Sequence, residues 1–70
     1  MKTYLEVRMN GTSATFEIVP TQCRWVEIFR PMENGVSVSV HSCPDLYAAR
    51  LFLTVQMHGV ITREWSVRND

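Results

Sequence analysis

Seventy residues, 46% of them hydrophobic, make one small domain with one core and leave too little chain for a second. Seven Lys and Arg balance seven Asp and Glu, so the formal net charge is zero, and a sequence pI of about 6.7 offers no bulk field to draw nucleic acid, an anionic membrane or an acidic substrate. No apolar run approaches the roughly 20 residues that span a bilayer, and Met1 to Val7 mixes charged with apolar residues where a signal peptide needs a continuous apolar stretch, so the expectation is a soluble, cytoplasmic chain.

Residues 2–9 alternate. Thr3, Leu5, Val7 and Met9 fall on one side and Lys2, Tyr4, Glu6 and Arg8 on the other, the period-2 pattern of a half-buried strand. Asn10-Gly11 follows, and both residues tolerate the positive φ that a type I′ hairpin turn demands. The second strand runs from Thr12 to Val19, with Ala14, Phe16 and Ile18 facing one way, and Pro20, which cannot donate to a ladder, ends it. A third strand is predicted from about Gln22 to Arg30, with Val26 and Ile28 on one face and Cys23, Trp25 and Phe29 on the other around Glu27. Such a strand, apolar on both faces, is central, or bulged, or presents aromatic residues to a partner. Pro31 stops it. Met32-Glu33-Asn34-Gly35 forms the second turn, and Val36, Val38 and Val40 then alternate with Ser37, Ser39 and His41 in a fourth strand.

After His41 the period changes. Ser42-Cys43-Pro44-Asp45 places a capping residue, a first-turn proline and an acid at the positive end of a helix dipole, which predicts a helix from about Pro44 to His58. Leu46, Ala49, Phe52, Leu53 and Met57 share its apolar stripe, extended by Ala48 and Val55, with Tyr47, Arg50, Thr54 and His58 opposite. Gly59 is the expected left-handed terminator, and β-branched Val60 to Val67 reads as a fifth strand joining an edge of the sheet, before a short tail at 68–70. The order β-β-β-β-α-β defines a single α+β domain over residues 1–70, an antiparallel sheet of about five strands with one helix across one face.

Residues able to carry chemistry are few. Cys23, His41, Cys43 and His58 have the atoms of a zinc site without its spacing, and a helix of about 15 residues, about 22 Å long, separates His58 from Cys43, so no metal is expected. Cys43 with His41 and Asp45 is the one local nucleophile cluster, and it lacks an identifiable oxyanion donor; capping explains it better, and reactivity there would require a low-pKa thiolate. Two cysteines in a reducing compartment make no disulfide framework. Gly11, Gly35 and Gly59 belong to no phosphate-cradling pattern, so neither cofactor nor small-molecule substrate is expected, and the chain is read as non-enzymatic.

The informative feature is aromatic. If Leu5, Val7, Phe16, Ile18, Val38 and Val40 pack under the helix with Val26 and Ile28, then Trp25 and Phe29 are sent to the opposite face, which one helix cannot also cover. Tyr4, and Trp65 with it, belongs to that second face. Six of the seven basic residues are Arg, and large aromatics with Arg dominate binding hot spots. The expected function is therefore a small protein–protein interaction module that binds a partner protein, or itself as a homodimer, through Trp25 and Phe29, with Tyr4, Glu27, Arg24 and Arg30 as further contacts. A short chain without a catalytic constellation suits an accessory or inhibitor protein of a mobile element of phage or plasmid type. The alternative is a small nucleic-acid-binding domain that uses the same aromatic and Arg residues as a stacking platform, weakened by the acids interleaved on the same strands.

Overall fold

A computed structural model describes residues 2–68, so the last two residues of the expected tail, Asn69 and Asp70, lie outside the described residues. The elements are β1 (Lys2–Met9), β2 (Thr12–Pro20), β3 (Val26–Pro31), β4 (Ser37–Cys43), α1 (Leu46–Leu51), which continues as a π-helical turn over Phe52–Gln56, and β5 (Val60–Val67). The five strands form one antiparallel sheet in the order β4-β3-β2-β1-β5, with the helix after β4: an α+β fold.

Local chemistry explains the hairpins. Asn10 and Gly11 take φ of 52° and 77°, as a type I′ turn requires, and this sets a register that pairs Leu5 with Phe16 and Thr3 with Ile18. Gly35, at φ 82°, closes the β3–β4 turn by donating its N–H to the Met32 carbonyl at 3.1 Å, while the Asn34 side chain accepts from the Val36 N–H. One face of the sheet contributes Leu5, Val7, Phe16, Ile18, Ile28 and Cys43 to the core, and Ala49 and Leu53 of the helix close over them. The helix starts at Asp45, whose carboxylate accepts the Ala48 N–H at 2.8 Å.

Several expectations are corrected. The third strand begins at Val26 and not at Gln22, because residues 21–25 form the β2–β3 loop: the Thr21 N–H and hydroxyl both donate to the Trp25 carbonyl at 2.8 Å, and Arg24 adopts the left-handed φ of 67°. Trp25 therefore lies in a loop, half exposed, and is not a strand residue. Val38 is exposed rather than core, because it lies on the edge strand near the β3–β4 turn, far along β4 from the helix that begins beyond Cys43. An extra residue at Val40 also shifts the β3–β4 register between Ile28 and Phe29, ending the simple alternation predicted for β4.

Strand β4 extends to Cys43, so Ser42 and Cys43 belong to the sheet, Asp45 is the cap, and the helix is shorter than predicted at both ends. Val55, placed on the apolar stripe, is exposed; the widened turn carries the Met57 N–H to the Phe52 carbonyl, five residues back, and breaks the 3.6-residue phase. The left-handed residue that ends the helix is His58, at φ 56°, not Gly59. Gly59 is needed for closeness: a Cβ there would collide with Val7 Cγ1 and come within 2.8 Å of the Leu53 carbonyl.

Candidate binding face

The helix covers one side of the sheet and leaves the other bare. In-register pairing lines up Ser39, Phe29, Glu17, Tyr4 and Trp65 as a single row across all five strands on that bare side. Residues directly opposite on neighbouring strands have Cβ atoms about 4.5–5.5 Å apart, so this register makes side-chain contact inevitable. Tyr4 and Trp65 stack with ring centroids 5.5 Å apart and planes 15° from parallel, and the Arg63 guanidinium carbon lies 4.6 Å from the Trp65 ring centre.

The carboxylates of this face already have hydrogen-bond partners. Glu17 accepts from the Tyr4 hydroxyl at 3.0 Å and from Lys2 Nζ at 3.2 Å. Its carboxylate, through that hydrogen bond first, then by partial burial and its charge, holds the Tyr4 phenol above its ordinary 10.0. Glu27 accepts from the Ser39 hydroxyl, and Glu6 from the Thr62 hydroxyl at 3.1 Å. Lys2, Arg8 and Arg63 face Glu6, Glu17 and Glu27 on the same side, so the face is charged but balanced.

Of the residues named from sequence, Tyr4, Phe29 and Glu27 share this face. Arg30 does not: it follows Val26 and Ile28 on the helix-bearing side, where it borders a depression with Met9, Ala14 and Met57. Arg24 and Trp25 belong to the β2–β3 loop at the end of the sheet. Trp65 closes the aromatic row at the β5 edge, whereas Trp25 lies outside the row, and Glu17, Lys2 and Arg63 were passed over. Their signal was the alternation of β1 and β5, which becomes a contact only when β5 is known to pair with β1.

Elsewhere, Cys43 sits in the core at 2% exposure, and burial, reinforced by the nearby Asp45 charge, pushes its thiol above the ordinary range. The His41 ring stacks on Phe52 at 4.2 Å between centroids, and Cys23 is exposed in the loop. Among the described residues no three of His, Cys, Asp and Glu are grouped to hold a metal ion, and no helix is long and apolar enough to cross a membrane.

Fold and site together define an α+β protein whose single antiparallel sheet is helix-covered on one side and aromatic on the other. Comparison with protein-family models, curated proteins and solved structures finds no match to this chain.

Proposed function

We propose that this chain is a non-catalytic protein–protein interaction module that binds a partner protein through the bare sheet face, with Trp65, Tyr4 and Phe29 as anchors. One observation carries the reading: each of the three acids around the aromatic row already accepts a hydrogen bond, Glu17 from Tyr4 and Lys2, Glu27 from Ser39 and Glu6 from Thr62. Covering a carboxylate that has no hydrogen-bond partner costs several kcal/mol, whereas one that already accepts a hydrogen bond is dehydrated at lower cost. Aromatic area can then dominate the association, as it does in hot spots. Phe29 and Tyr4 lie in one row with Trp65, and Trp25 with Arg24 extends the contact at the loop end. An accessory or inhibitor role, acting by occupying a partner's surface, needs no chemistry beyond this.

A second reading rests on the stacked Arg63–Trp65–Tyr4 group, which has the form of a platform for single-stranded nucleic acid. The three carboxylates on the same face weigh against it, since each would meet a phosphate backbone with repulsion.

The test is capture of partners from a lysate by the wild type and by Trp65→Ser and Phe29→Ser, each shown by circular dichroism to be folded. A protein retained by the wild type, lost by both variants and indifferent to salt supports the module. Retention of the same proteins by both variants removes the face from consideration, and a bound fraction that is nucleic acid and falls steeply with salt replaces the first reading by the second.

A further inference from the structure

The sheet has two free edges, and they are built differently. At the β5 edge, Arg63 and Glu64 charge the strand, and the helix reaches over it: Arg50 holds Glu64 with two hydrogen bonds, at 2.9 and 2.6 Å. Charged side chains on an outermost strand, with a neighbouring element tied across it, are the usual protection against pairing with another chain. Strand β4 lacks the charges and the ion pair, and its contact with the helix, the His41 ring stacked on Phe52, is aromatic. It is the only one of the five strands without an Asp, Glu, Lys or Arg, and among the described residues no ion pair crosses it. Both edges carry one extra residue, Thr62 on β5 and Val40 on β4, so a bulge does not distinguish them.

The helix repeats the asymmetry. Its Arg50 side leans to β5, while Leu51 and Val55, 43% and 60% exposed, look along the β4 side and border an apolar groove of about 370 Å³ against His41, Cys43 and Pro44. Unpaired backbone groups and unpaired apolar side chains thus sit side by side, in the sheet layer and the helix layer of one flank.

We propose that this flank is a self-association surface and that its occupant is a second copy of this chain, its β4 lying antiparallel to the first so that the sheets join and each copy's Leu51–Val55 ridge meets the other's groove. Charge selects that occupant. A partner strand bearing charges would find no counter-charge on β4, whereas a second β4 brings none and loses none. Antiparallel pairing of a strand with itself is a two-fold operation, so one patch serves both sides of a closed dimer. Seven residues at about 3.3 Å each give a contact line about 23 Å long, and the molecule measures 19 Å in its thinnest direction. That strip is about 400 Å² per copy in projection, and side-chain relief brings the pair to about 1,000 Å², the lower bound of a specific interface. The dimer leaves the aromatic face free, so it is independent of the partner-binding reading above.

The experiment is light scattering of the full chain across a concentration series, with hydrogen exchange of the β4 amides. Wild type is expected to double in mass as concentration rises, with the β4 amides gaining protection in parallel. Val38→Lys on the strand and, separately, Leu51→Glu on the ridge change exposed side chains, and each is expected to weaken association by about tenfold or more. Trp65→Ser, on the bare face, is expected to keep the dimer. A wild type that stays monomeric at every concentration, a dimer that survives both flank variants, or one that Trp65→Ser splits overturns the proposal.

Discussion

The two faces of the sheet come from the same strands by alternation, interrupted once in each edge strand, yet one is a sealed core and the other an open row of rings. On the helix side, Leu5, Phe16, Ile28 and Leu53 are at 0% exposure and, among the described residues, no charged side chain is buried. On the bare side, Tyr4, Phe29 and Trp65 are only partly withdrawn from water and stand among balanced acids and bases. The difference teaches how one sheet serves two environments: apolar density without buried polar groups stabilises the chain, and aromatics among hydrogen-bonded carboxylates make a surface that water still reaches.

The sharpest way to test that division is to truncate a ring on each side. Phe16→Ala is expected to cost about 3–5 kcal/mol in urea denaturation because it opens a closed cavity, whereas Phe29→Ala is expected to cost about 1–2 kcal/mol because it removes half-solvated area and leaves no cavity. Trp25→Ala in the loop is expected to change stability by about 1 kcal/mol or less. Equal costs for Phe16 and Phe29 would mean that the bare face is not bare. Next in size, Gly59→Ala pushes a methyl against Val7 and the Leu53 carbonyl where the helix hands over to β5, and about 1–3 kcal/mol of destabilisation is expected by the same measurement.

The smallest effect lies on the open face. Tyr4→Phe removes a hydroxyl hydrogen bond to Glu17 and is expected to cost about 0.5–1 kcal/mol at neutral pH. The phenol is held above its ordinary 10.0, so the folded state keeps a proton that the unfolded chain has begun to release. Its stabilisation is therefore complete below pH 10 and lost as pH rises through the folded value. Melting temperatures of wild type and Tyr4→Phe followed upward in pH should converge; curves that stay parallel would show that the Tyr4–Glu17 bond contributes nothing.

Local signals carried much of the fold. The alternation of β1 and β2, two Asn-Gly turns, an acid before a helix and β-branched residues after it are each set by neighbours a few positions away, and each appears where the sequence places it. Residues 21–25 failed because Cys23 and Trp25 are apolar enough to imitate a strand, and nothing local announces that Arg24 will take a left-handed φ. Val38 failed because alternation says which residues share a side but not how far the helix reaches along that side.

The face itself was half legible. Tyr4, Phe29 and Glu27 follow from alternation within single strands, and the conclusion that one helix leaves a second side uncovered follows from counting elements. Arg30 was misplaced by proximity to Phe29, although successive strand residues point oppositely.

The sequence by itself thus determined the class, the hairpins and most of the core, because period, turn chemistry and capping are short-range. Only the tertiary structure decided that β5 pairs with β1 and β4 stays at the opposite edge. That choice brings Trp65 onto Tyr4, ties Arg50 to Glu64 and leaves the uncharged β4 flank open, because contacts between residues 14 to some 60 positions apart depend on register, which no local pattern encodes.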